Sequence, residues 1–119
     1  MLISVVDDDE SVRESLPDLL REFGYAACPF SSAEEFLSSA FIARTRCLIL
    51  DISMPHMTGL DLQKELQLRC RKIPIIFMTA RDEGALRSKA LEQGAVGFLL
   101  KPFSDTALLD AVHAALGEG

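Results

Sequence analysis

The sequence predicts one α/β domain, an open parallel sheet with helices packed on both faces. Three observations carry that expectation. Short apolar, β-branched runs alternate with stretches of helical spacing; acids, a threonine and a lysine follow the ends of four of those runs; and no internal repeat or low-complexity linker breaks the alternation. At 119 residues the chain is long enough for one sizeable core and too short for two ordinary ones, so a single domain over 1–119 is expected.

Leu2-Ile3-Ser4-Val5-Val6 reads as a first strand, buried and parallel, stopping at Asp7-Asp8-Asp9. Leu16, Leu19, Leu20 and Phe23 then recur at helical spacing and Gly24 supplies the stop, although Pro17 sits inside the pattern. Tyr25 to Cys28 form a weak second strand. Ser31-Ser32-Ala33-Glu34-Glu35 reads as an N-cap with first-turn acids, and Phe36 and Leu37 begin the apolar face of a second helix. Cys47-Leu48-Ile49-Leu50 is a compact strand ending at Asp51, and Leu60, Leu62, Leu66 and Leu68 give the next helix its face. Ile73 to Met78 is the most strand-like stretch, ends in Thr79, and precedes a helix patterned by Ala85, Leu86, Ala90 and Leu91 that Gly94 closes. Val96 to Leu100 is a fifth strand ending in Lys101-Pro102, and Ser104-Asp105 caps a fifth helix through Leu108, Leu109, Val112 and Leu116. The order of these strands within the sheet does not follow from the pattern.

Composition removes several function classes. The net charge of −6 opposes binding to a polyanion, and no basic run or aromatic-interleaved basic patch is present, so direct nucleic-acid binding is not expected. Cys28, Cys47 and Cys70 are odd in number and lack CxxC or Cys/His ligand spacing, which fits ordinary thiols in a reducing, cytoplasmic setting. No stretch is long and apolar enough to span a bilayer, and no signal peptide is recognisable, so no membrane role is expected.

The functional signal lies in the strand ends. Open α/β sheets bind ligands at the carboxyl edge of their strands, so Asp7, Asp8, Asp51, Thr79 and Lys101 can converge there although they are far apart in sequence. Clustered carboxylates repel and need a proton or a cation, and an oxygen-only set without histidine or cysteine favours Mg2+, or Mn2+, over zinc. Lys101 adds a mobile positive charge and the Thr79 hydroxyl a donor for a phosphoryl oxygen; a carboxylate can itself accept the phosphoryl group. Taken alone, Asp7 to Asp9 are also ordinary first-turn acids of a helix. Gly59 and Gly94 are assigned to turns or caps, since no GxGxxG or Walker-type run exists, and His56 and His113 receive no role.

Four segments in order resemble the receiver domain of two-component response regulators over essentially the whole chain: Val5-Val6-Asp7-Asp8-Asp9; Leu50-Asp51-Ile52-Ser53-Met54-Pro55 with Thr58-Gly59 behind it; Met78-Thr79-Ala80; and Phe98-Leu99-Leu100-Lys101-Pro102-Phe103. The resemblance implies a flavodoxin-like, doubly wound five-stranded parallel sheet of order 2-1-3-4-5 with five helices. It implies a switch in which Asp51 accepts a phosphoryl group from a sensor histidine kinase. Asp8, Asp51 and the Ser53 carbonyl would bind Mg2+ directly and Asp7 through a water, while Thr79 and Lys101 would touch the phosphoryl group. The Lys101-Pro102 bond would be cis, and Phe98 would stand at the switch aromatic, where tyrosine is also frequent. Asp9 leaves the acidic assignment ambiguous by one residue.

In such proteins the domain is commonly joined to a C-terminal DNA-binding output domain, so the chain is expected to be a piece of a longer transcriptional regulator, with a single-domain regulator as the alternative. A phosphorylation-dependent homodimer is implied as well. Such a domain catalyses its own phosphotransfer and dephosphorylation rather than serving as an ordinary enzyme. An Mg2+-dependent, aspartate-nucleophile phosphatase is the alternative enzyme reading, but it would normally carry a second acid where this chain has Ser53, and a cap for which there is no length. A phosphorylation-independent interaction module would leave the acid, threonine and lysine set unexplained.

Overall fold

Alternating side chains decide the layers. In a strand buried on both faces, successive residues serve opposite cores, and Thr45–Asp51 does this with Cys47 and Ile49 on one face and Leu48 and Leu50 on the other. The structure is a computed structural model that describes residues 2–81 and 84–117. Met1, Asp82, Glu83, and the Glu118 and Gly119 that end the chain lie outside the described residues.

In chain order the elements are β1 (Leu2–Val6), α1 (Glu10–Glu22), β2 (Ala26–Phe30), α2 (Ala33–Leu37), β3 (Thr45–Asp51), α3 (Gly59–Leu68), β4 (Ile75–Thr79), α4 (Gly84–Glu92), β5 (Gly97–Leu100) and α5 (Asp105–Ala115). A single 3-10 turn, Ile42–Arg44, leads into β3. All strand pairs are parallel, in the order β2-β1-β3-β4-β5. That is the order the resemblance implies. One core joins Phe30, Phe36, Leu48, Leu62, Leu66 and Phe77 beneath α2, α3 and α4; the other joins Ile3, Leu20, Ile49, Ile76, Leu108 and Val112 beneath α1 and α5.

Local chemistry sets the helix starts. Ser32 and Ser104 accept the backbone N–H of Glu35 and Ala107, and Thr58 with Asp61 forms a reciprocal capping box at α3. Pro17 is buried inside an unbroken α1. Ser4, the one polar residue of β1, is satisfied by Thr45 at 2.7 Å, whose hydroxyl donates onward to the Phe41 carbonyl.

Several expectations need correction. The second strand runs two residues further, to Phe30, and excludes Tyr25. β4 begins only at Ile75 and β5 only at Gly97. Leu68 is 71% exposed, and Leu91 and Ala85 also face outward, so α3 and α4 bury narrower faces than their spacing implies. Leu68 lies about 200° around α3 from the buried Leu66, so it faces away from the sheet.

Candidate functional site

The strand ends converge as the topology requires. Because β1 and β3 are neighbours with Val6 beside Leu50, Asp7, Asp8 and Asp51 emerge side by side, and one carboxylate oxygen from each lies within 4.8 Å of the others. β4 and β5 bring Thr79 and Lys101 to the same edge. The resulting cleft, about 420 Å3, is lined by all five residues together with Asp9, Ser53, Ala80 and Arg81.

Each side chain has a defined partner. Asp7 is fully buried; one oxygen receives the Asp9 N–H at 2.9 Å and the other the Lys101 ammonium at 2.7 Å. Arg13, one turn into α1, donates to the Asp7 carbonyl at 3.0 Å. Asp9 caps α1 by accepting the N–H and hydroxyl of Ser11, and that hydroxyl contact first, then the N–H, holds its carboxyl below the usual range. Asp51 is 6% exposed and accepts the Ser53 N–H, at 3.3 Å, with the Asp8 carboxyl beside it. Thr79 donates its hydroxyl to the Arg81 carbonyl at 2.9 Å and accepts the Arg81 N–H. The Lys101-Pro102 bond is cis.

The electrostatics follow from burial. Burial first, and then the Asp7 charge, push the Asp51 carboxyl up to about 6, despite the opposing pull of Lys101. Burial disfavours the Lys101 ammonium, but its contact with Asp7 outweighs that and leaves its pKa raised. Lys101 is thus pinned to Asp7 rather than mobile, correcting the expectation from sequence. Three carboxylates and one ammonium leave a surplus of negative charge facing the cleft, and an all-oxygen donor set this close suits a hard divalent ion.

The glycine behind the cleft also differs from its assigned role. A Cβ on Gly59 would meet the Asp51 carbonyl oxygen at 2.7 Å, Ile52 Cα at 2.8 Å and the Phe77 ring at 2.9 Å. Gly59 is therefore the point where α3 presses on the end of β3, not a turn or cap residue. Sequence reasoning also missed Arg13 and Arg81, whose contacts here are to or from the backbone; no motif announces such a role.

The family model for the response regulator receiver domain matches residues 3–113. The chain belongs to that family. Among relatives of this receiver domain are the response regulator protein TodT of Pseudomonas putida, 43% identical over 97% of this chain and 51% of its own length, and the transcriptional regulatory protein FixJ of Azorhizobium caulinodans, 41% identical over 97% and 54%. The chain spans about half the length of these curated relatives. The crystal structure of FixJ-N superposes with a TM-score of 0.88 at 36% identity, covering 99% of this chain and 94% of that one. Receiver domains are signalling components of two-component systems rather than classical enzymes. Among the described residues no helix of this receiver domain is long and apolar enough to cross a membrane.

Proposed function

We propose that this receiver domain is a phosphorylation-activated switch, with Asp51 taking a phosphoryl group from a sensor histidine kinase. The observation that carries this reading is the isolation of Asp51. Among the described residues it is the buried carboxylate at the cleft with neither an ammonium partner nor a capping role, and it sits between the acidic pair and the Thr79 and Lys101 donors. An Asp51 oxygen attacks phosphorus, the bond from phosphorus to the kinase histidine nitrogen breaks, and the product is an acyl phosphate on Asp51. Hydrolysis of that bond by water returns the free carboxylate.

Asp8, Asp51 and the Ser53 carbonyl would hold Mg2+, with Asp7 acting through a water; the ion would screen the charge of the phosphoryl oxygens. Lys101 supplies a cation already placed beside Asp7, and Thr79 donates to a phosphoryl oxygen once its hydroxyl leaves the Arg81 carbonyl. Vacated space beside Thr79 lets Phe98 turn inward. Phe98 is half-buried, with its ring centroid 6.4 Å from that of Phe77 and the Arg87 guanidinium 5.4 Å above it, so its surroundings offer both a core side and a surface side. The consequence is a changed α4–β5–α5 surface for homodimerisation or control of a C-terminal DNA-binding output domain, a reading supported by the transcriptional regulator relatives and their greater length.

Intact-mass measurement after incubation with acetyl phosphate and Mg2+ tests the proposal. One added phosphate, stable to acid, labile to hydroxylamine and lost in Asp51→Asn, is expected. Equal labelling of that variant at the same mapped peptide would remove Asp51 as the acceptor.

A further inference from the structure

At the end of the sheet opposite the acidic edge, the last turns of α3 and α4 and the segment entering β4 enclose a cleft of about 480 Å3. Its apolar lining comes from Leu66, Ile73 and Ile75, and the exposed Arg71 and Lys72 line it as well. No carboxylate lines it, and neither cation is in an ion pair among the described residues, in a chain whose net charge is −6. This is a local reversal of the charge of the whole molecule.

Beside it, a buried side chain ties α3 to α4. Gln63 lines the cleft and is 2% exposed; its Nε2 donates to the Ala90 carbonyl near the end of α4 at 3.2 Å, while its Oε1 has no hydrogen-bond partner. Flipping the amide would set Oε1 against the Ala90 carbonyl oxygen, so the orphan is an acceptor in want of a donor. That oxygen is closed off from solvent, so what a ligand in the cleft meets is the apolar lining and the charge of Arg71 and Lys72.

We propose that this cleft is a second binding site, for a small organic anion. An aromatic or aliphatic body packs on Leu66, Ile73 and Ile75, and a carboxylate meets Arg71 and Lys72. The cleft volume falls within the range of small-molecule sites, roughly 300–1,000 Å3, and the unpaired cations select the sign of the ligand charge. The site is independent of Asp51 phosphorylation.

Amide NMR titrations of the unphosphorylated, Mg2+-free chain test this with 4-hydroxyphenylacetate and its cationic analogue tyramine. Saturable shifts at Gln63, Leu66 and Ile73 are expected for 4-hydroxyphenylacetate, with tyramine at least about tenfold weaker. The doubly substituted Arg71→Glu, Lys72→Glu chain, altered only at exposed positions, is expected to lose binding about tenfold or more while keeping its unfolding midpoint. Absence of saturable shifts at these residues, shifts centred instead on the Asp51 cleft, binding no weaker for tyramine, or unchanged affinity in the charge-reversed chain would overturn the proposal.

Discussion

Lys101 and Asp7 meet as an ion pair of 2.7 Å although 94 residues separate them along the chain. The Asp7 side chain is fully buried and that of Lys101 is 21% exposed. The pair settles which carboxylate of the cleft is compensated: Asp7 has its cation, and Asp51 carries the electrostatic cost.

Removing the cation exposes that dependence. Lys101→Met should leave Asp7 buried and unpaired, destabilising the metal-free domain by roughly 1–3 kcal/mol, below the range for a fully buried pair because Lys101 is partly exposed. Mg2+ should recover part of the loss by supplying charge nearby. Urea unfolding with and without Mg2+ checks both; an unchanged midpoint in the metal-free variant would contradict the role given to the pair.

Asp51 predicts a pH dependence. Its carboxyl lies at about 6 in the folded protein against 3.8 for an unperturbed aspartate. The folded state therefore holds this proton more tightly than the unfolded state, so the Asp51 contribution is neutral below 3.8, becomes increasingly destabilising as pH rises, and is fully present above about 6. Asp51→Asn should stabilise the metal-free domain at neutral pH by roughly 1–3 kcal/mol and much less near pH 4. Mg2+ affinity should weaken as pH falls through 6, where a proton competes for the ligand oxygen. A stability gain in Asp51→Asn that is the same across this range would show that the carboxyl is not perturbed.

Asp8→Asn offers a separate test of the metal ligands. Asp8 is the exposed member of the acidic trio, so its loss should relieve repulsion, leave the metal-free fold at least as stable, and weaken Mg2+ binding. Calorimetric titration giving wild-type Mg2+ affinity in this variant would remove Asp8 from the ligand set.

Gly59 predicts that a single methyl group disturbs the cleft. Its nearest neighbours would include two backbone atoms under 3.0 Å, so the strain cannot be relieved by turning a side chain. Gly59→Ala should cost roughly 1–3 kcal/mol and slow acetyl phosphate labelling, because the backbone that must yield belongs to Asp51 and Ile52. Denaturation midpoints and labelling rates measured together check it; wild-type values for both would show that the contact is slack.

Thr79 and Phe98 carry the last prediction. Beryllofluoride with Mg2+ should shift wild type toward dimer in sedimentation, or change solvent protection around Phe98, and do so less in Thr79→Ala. A packing switch of this kind needs its two arrangements to lie within about a few kcal/mol of each other. Equal responses despite confirmed binding of the mimic would leave Phe98 as fixed packing.

Much of this was legible because its causes are local. The alternation of Cys47 to Leu50 fixes a strand buried on two faces, and serine at 32 and 104 caps the helix that follows, each through contacts a few residues away. Leu68 and Leu91 misled for a different reason: each was counted into an apolar face, yet Leu68 lies about 200° around its helix from the buried Leu66 and Leu91 about 100° from the buried Ala90, off the side that meets the sheet. Gly59 was undervalued because its constraint comes from the Asp51 and Ile52 backbone and the Phe77 ring, which the fold brings against the start of α3.

The sequence by itself determined the succession of strands and helices, and placed Asp7, Asp8, Asp51, Thr79 and Lys101 at strand ends, because periodicity and capping act over one or two turns of chain. Only the tertiary structure decided that Lys101 is committed to Asp7, that Asp9 is spent on capping α1, that the Thr79 hydroxyl is held by Arg81, and that Asp51 is the carboxyl raised to about 6. Those outcomes depend on burial and on distances of a few ångströms between segments far apart in sequence, and electrostatic energies change steeply with both.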